Sequence, residues 1–238
     1  MPIFSYHLAN VPFLMGLKLF LCPSYLRSID GIIHYERMTV MTLGSSIISP
    51  RRMLFRQIAF FAQWENESSL DYFLTNHNFG KILAKSWHTR LELVRQWGSL
   101  SGLKTSNLEM NNEKLATDSV VVAVTIARMK FFQIPRFIHW GKPVEKLVRD
   151  HPGKIFALAS IRLPNTVSTF TIWKSVKEMT DMVNGLSNIP QPKRHIDAMK
   201  ERERKDFHFE FVTLRFKPLS EVGKWMGNEV IFSNRHLI

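Results

Sequence analysis

The chain carries the same local pattern twice, and that repetition limits its architecture more than any other feature. Ser5–Phe20 (SYHLANVPFLMGLKLF) runs from a strand-like stretch into an apolar, aromatic-rich helical one, and so does Ala123–Ile138 (AVTIARMKFFQIPRFI). Each half then holds a strand ending in tryptophan ahead of a polar helix start: Ala59–Leu70 (AFFAQWENESSL) and Ser168–Met179 (STFTIWKSVKEM). A histidine-led helix follows in each, His77–Trp87 and His195–Arg204, and a last strand closes each half, near His88–Gln96 and Phe207–Phe216.

The order per half is strand, helix, strand, strand, helix, strand, the ferredoxin-like split βαβ pattern. It predicts an α+β fold of two tandem ferredoxin-like repeats, residues 1–103 and 119–238. They are joined by a linker at 104–118, within the polar stretch that begins at Ser101. Short strands need a covered face, so the helices are expected on one side of each antiparallel sheet. Phe207, Phe209 and Phe211 fall on one side of the last strand, while Val212, Leu214 and Phe216 fall on the other. Both sheet faces are therefore expected to be buried, with a bulge near Phe211. Packing the two sheets face to face as an α+β barrel would achieve this. Ser175 with Glu178 fits a capping box; Ser68 or Ser69 is the expected cap in the first half. Val11–Cys22 is too short to span a bilayer and lacks the basic lead and cleavage pattern of a signal peptide. It is expected to be a buried helix.

Thirty-two Lys and Arg against twenty Asp and Glu give a formal charge of +12, which favours anionic partners. The basic residues are spread along the chain, the densest run, Lys193–Lys205, also holds Asp197, Glu201 and Glu203, and no nucleic-acid module is recognisable. Nucleic acid is not an expected partner. The single cysteine, Cys22, excludes an internal disulfide and a cysteine metal cluster and fits a reducing, cytoplasmic setting. No Walker or GxGxxG phosphate loop and no Gly-x-Ser-x-Gly elbow occurs. The pairs Glu201/Glu203 and His34/Glu36 read as solvated charge. Eighteen Phe and six Trp point to a packed interior and a pocket for a flat, apolar ligand.

Several segments, in order, resemble the spheroidene monooxygenases. In the second half these are Lys154–Pro164 (KIFALASIRLP), Thr169–Trp173 (TFTIW), His195–Met199 (HIDAM), Phe211–Phe216 (FVTLRF) and Ser220–Trp225 (SEVGKW). Met41–Ser46 (MTLGSS), Trp64–Ser68 (WENES) and the stretch from Ser86 and Trp87 to Gly102 continue the likeness in the first half. Each piece is short; their collinear succession carries the resemblance. It implies a haem-dependent oxidoreductase, with haem b, dioxygen and an external electron donor, that inserts oxygen into an apolar substrate such as an acyclic carotenoid. A high lysine content and Pro190 and Pro192 ahead of His195 depart from the family pattern and leave the substrate open. A haem dehydratase or peroxidase-like enzyme, a cofactor-free monooxygenase and a non-enzymatic haem or carotenoid carrier stay open as alternatives. The expected partners are the apolar substrate, an electron-donor protein, a second copy of the chain and, through the basic surface, an anionic membrane.

The resemblance makes His195 the expected axial ligand of the haem iron, with Ala198, Met199 and Arg202 on its helix face looking into the barrel. His77, in the same place in the first half, is the reserve ligand. His208 reads as structural, and His139 and His151 as solvated. Haem propionates favour guanidinium partners, for which Arg128, Arg136 and Arg162 are the candidates beside their default role in surface ion pairs. Ser45 and Ser46, after Gly44, are the candidate catalytic hydroxyls near bound oxygen, and a simple turn explains them equally.

Overall fold

Strict alternation along the strands decides which side chains point where. In β5 (Val121–Met129), Val122, Val124 and Ile126 turn inward, leaving Ala123, Thr125 and Ala127 outward. The other strands are β1 (Ile3–Asn10), β2 (Ile32–Met41), β3 (Met53–Trp64), β4 (Trp87–Ser99), β6 (Lys154–Arg162), β7 (Thr166–Trp173) and β8 (His208–Val222). In this computed structural model, residues 2–21, 29–46, 49, 51–106, 108, 110 and 115–231 are described; Cys22 lies outside them. All eight strands are antiparallel and close into one barrel in the order β1-β3-β2-β6-β7-β5-β8-β4.

The two four-stranded sheets therefore meet edge to edge instead of packing face to face as expected. Open edges would leave rows of unpaired N–H and C=O groups, and closing the ring satisfies them. One seam is long, β4 against β8 from His88↔Val222 to Ser99↔Phe211. The other is short: β2 meets β6 at Thr39↔Ile161, Val40↔Ser160 and Met41↔Ala159. Inside, Phe4, Tyr6, Phe61, Trp87, Phe170 and Phe216 are fully buried, with Tyr6 stacked on Phe170 at 3.8 Å between centroids. An eight-stranded barrel is just wide enough to be filled by side chains. Among the described residues this one is filled by its own rings, which take up the interior that a flat ligand would otherwise enter.

The helices lie on the outside: α1 (Phe13–Leu21), α2 (Glu67–Asn76) and α3 (Asn78–Ala84) over the first sheet, α4 (Ile134–Asp150), α5 (Val176–Val183) and α6 (Arg194–Arg204) beside the second. Several expectations need correction. α1 is not buried: Gly16 is its one buried residue and Leu14 is 77% exposed. The His77 helix is split, because His77 ends α2 and caps α3. Asn66, not Ser68 or Ser69, caps α2 by accepting from the Ser69 amide. Ser175 does cap α5, accepting from the Glu178 amide at 3.1 Å. The irregularity in β8 lies opposite Arg128 and Met129, just before Phe211, and turns Phe209 out to solvent. The first linker residues are tied to the first sheet, since Gln63 exchanges two hydrogen bonds with the Lys104 backbone. Among the described residues no helix is long and apolar enough to cross a membrane.

Candidate functional site

The outer faces of the two sheets differ sharply in what covers them. Strand registers align a row across the first sheet, Arg37–Phe60–His7–His88. Phe60 lies four residues before Trp64, the end of β3, and Thr169 lies four before Trp173, the end of β7. The corresponding row of the second sheet is Ala159–Thr169–Thr125–Thr213. Four large side chains on one outer face thus correspond to four small ones on the other. Phe60 and His7 are fully buried under Phe73, Phe79 and Leu83. Thr125, Thr169, Thr213 and the neighbouring Ala123 and Ala157 are only partly covered.

The cover over the second sheet is pinned at its ends and thin between them. At one end Ile134, Phe137 and Trp140 of α4 pack with Ala127, Met129, Val167, Phe207 and Phe211. At the other, Leu147 and Val148 join Val121, Trp173, Met179 and Met182. Between these clusters stands Gly141, where an added Cβ would find the Phe137 ring as its nearest neighbour, at 3.6 Å. α6 leans on α4 and α5 rather than on the strands. The result is a strip of alanine and threonine between the two clusters that is only partly covered, a shallow slot on the outer face of the second sheet.

His195 lies near the start of α6, on the helix face that it shares with Arg202. Arg202, two turns on and on the same face, lies over the Phe211 ring at 3.8 Å. α6 was expected to look into the barrel; it lies outside the second sheet, with Ala198 buried and Arg202 over the outward Phe211 ring. The Nδ1 of His195 is 3.1 Å from the Val183 carbonyl. A carbonyl can only accept, so Nδ1 carries the proton and Nε2 the lone pair. Burial holds the imidazole below the usual histidine range, against the pull of that carbonyl, so it is neutral at pH 7. A neutral ring with one nitrogen fixed on a carbonyl is the form that binds metal through the other.

His208 was expected to be structural, and its surroundings add a feature that the sequence does not announce. Its Nδ1 donates to the Asp206 carboxylate at 2.9 Å, and its ring sits among Phe137, Phe207 and Phe211. Its Nε2 is buried without a hydrogen-bond partner. Burial, opposed by Asp206, lowers its pKa to about 4. In the unfolded chain the ring takes up its proton near 6.5, so stability is complete above that value. It is expected to fall by up to roughly 3 kcal/mol as pH drops from 6.5 toward 4. Urea midpoints at pH 7 and pH 4.5 should therefore lie closer together in His208→Phe than in wild type; equal spacing would refute this.

The remaining site candidates divide into separate places. Arg128 pairs with Glu210 at 2.5 Å and Glu36 at 3.2 Å, and Arg162 with Glu36 at 2.9 Å. Arg136 holds Glu201 at 2.7 Å, beside Arg204. Each of the three guanidiniums is thus engaged by a carboxylate. Glu36 and Glu201 are not solvated as expected: Glu36 is 2% exposed. Burial alone would push Glu36 up, but His34, Arg162 and Arg128 beside it hold it below the ordinary carboxylate value. Glu201 is pulled down to about 2 by Arg204 and Arg136. Ser45 keeps its hydroxyl on the Thr42 carbonyl within its own turn, which Gly44 and Arg52 fasten to Glu145 of α4. Ser46 follows in the same turn. His77 spends Nδ1 on the Phe79 amide and stacks on Phe73. His151, expected in solvent, is buried against Trp173 and bonded to Ser187. Among the described residues no group of three or more His, Cys, Asp or Glu could hold a metal ion.

No protein-family model matches the chain. Over 153 residues, 63% of its length, it is 23% identical to a spheroidene monooxygenase of Cereibacter sphaeroides. That match bears out the resemblance drawn from the motifs, and it spans only 44% of the relative's length. Among solved structures, an aldoxime dehydratase in complex with butyraldoxime aligns with a TM-score of 0.56 at 8% identity, covering 92% of this chain and 80% of that one. A putative monooxygenase from Fusobacterium nucleatum aligns with a TM-score of 0.41 at 8% identity, covering 94% of each chain. At such identities the aldoxime dehydratase likeness speaks for the fold alone.

Proposed function

We propose that this protein is a haem-dependent monooxygenase acting on an apolar substrate of the acyclic carotenoid class, with haem taken into the slot outside the second sheet. The observation that carries the reading is the row Ala159–Thr169–Thr125–Thr213, small throughout and with its three threonines only partly covered, where the first sheet has Arg37–Phe60–His7–His88. A flat macrocycle suits a sheet face stripped of large side chains, which the second sheet has and the first does not. The donor set fits as well. An iron that brings four porphyrin nitrogens needs one imidazole from the protein, and His195, with Nδ1 committed to the Val183 carbonyl, keeps the Nε2 lone pair for it.

When bound, the iron porphyrin supplies the activation of dioxygen. The chain's own residues hold and orient. The Val183 carbonyl fixes the His195 ring and raises the basicity of Nε2. Thr125 and Thr213, with hydroxyls 3.2 Å apart on the floor, would hold a proton at Oγ1 on the face where the ligand lies. The Phe137, Trp140 and Phe211 end of the slot offers an apolar, water-poor wall to a polyene. Electrons would come from a separate donor protein.

The buried, unpartnered Nε2 of His208 favours a second reading, in which that ring, backed by Asp206, is the iron ligand. Adding haemin to the purified protein decides both. A shifted Soret band is expected, lost in His195→Ala and kept in His208→Ala, with oxygen consumed when reductant and an acyclic carotenoid are supplied. The reverse pattern moves the ligand to His208, and an unchanged haemin spectrum removes haem from the protein.

A further inference from the structure

Resting on the slot reading, we propose that Arg95 and Arg215 form a carboxylate-binding pair at the slot's rim that takes the acidic arms of the flat ligand. The register places the two arginines directly opposite each other across β4 and β8. On its other side Arg215 pairs with Ala123, which pairs with Thr171, which pairs with Ala157. One straight row therefore leads from the arginine pair onto the slot floor. Both guanidiniums lie against the Trp97 ring, at 4.5 and 5.0 Å from its centroid.

Like charges directly opposite on a sheet are destabilising unless something offsets them. Here neither guanidinium has a carboxylate partner among the described residues, and the Arg215 Nε is buried with no hydrogen-bond acceptor. The first half shows what the position ordinarily needs. Arg90 pairs with Ser5 as Arg215 pairs with Ala123, and Arg90 is held by Glu67 at 3.1 Å and Asp71 at 2.5 Å, both from α2. The second half lacks those acids. Burial first, and the Arg95 charge second, lower the affinity of Arg215 for its proton. An anion arriving from outside would relieve both. Two forked donors beside an indole suit carboxylates on a planar body.

Metal-free protoporphyrin IX and its dimethyl ester separate this pair from the iron ligand, because neither contains iron and only the acid carries carboxylates. Fluorescence titration at fixed ionic strength should show the acid binding wild type roughly tenfold more tightly than the ester. The Arg95→Gln/Arg215→Gln protein should bind the two alike, and its melting temperature, unchanged or raised, checks that it folds. Equal binding of acid and ester by wild type, or a preference that survives in the double variant, overturns the pair while the slot reading stands. If neither porphyrin binds, the slot reading falls. Inorganic phosphate then decides the pair: a rise in melting temperature seen in wild type and absent from the double variant keeps it as a site for a free anion, and no rise overturns it too.

Discussion

Replacing Glu36 by leucine is expected to destabilise the protein by about 3–5 kcal/mol, a fall in melting temperature of roughly 6–20 °C for a domain of this size. The carboxylate is 2% exposed and stands between Arg162 at 2.9 Å, Arg128 at 3.2 Å and His34 at 3.4 Å. Removing it leaves the partly buried Arg162, among the described residues, with the Thr166 hydroxyl as its remaining acceptor, while Arg128 falls back on Glu210. The loss is that of an uncompensated charge, not of one contact, which is why it exceeds the effect of breaking a surface pair. Glu36→Gln, which keeps shape and some hydrogen bonding, should lie between wild type and Glu36→Leu in thermal denaturation. A Glu36→Leu protein melting within 2 °C of wild type would refute the account.

Thr169→Phe should abolish porphyrin binding, by roughly a hundredfold or more, while leaving the fold intact. It rebuilds on the second sheet the ring that Phe60 supplies on the first, at the same distance from the terminal tryptophan. In a filled core an added ring forces side chains out of place and costs about 1–3 kcal/mol. Over a partly covered threonine it should instead bury apolar area and keep or raise the melting temperature. Retained stability with lost binding is the expected signature, measured by denaturation and by haemin or protoporphyrin titration. Unimpaired binding would show that the ligand goes elsewhere, and a collapse in stability would show that the face was already sealed.

The strands and helices of each half were legible because their signals are local, while the edge-to-edge closure of the barrel was not. Alternating apolar residues mark the strands, Ser175 and Glu178 mark a cap, and the strand–helix pattern stands in each half. The small-residue floor was legible too, had the strands ending in Trp64 and Trp173 been laid side by side: phenylalanine stands at 60 and threonine at 169. What escaped depends on distant pairing. Glu36 meets Arg128 and Arg162 from 92 and 126 positions away, so a carboxylate that reads as solvated on its own strand becomes buried once β5 and β6 arrive. Arg95 and Arg215 face each other only through the register of a closing seam. The direction of α6 likewise follows from the barrel being full, which no count of aromatic residues distinguishes from a barrel with room inside.

The unequal seams give the ring a mechanical grain. A hoop welded along β4 and β8 but clasped by three residue pairs at β2 and β6 yields at the clasp when strained. Glu36, reaching from β2 to Arg162 on β6, is the rivet through that weak point. With it in place, the weak seam is bridged by side chains as well as by its three backbone pairs, and the sheet bearing the slot is held to its neighbour at both edges.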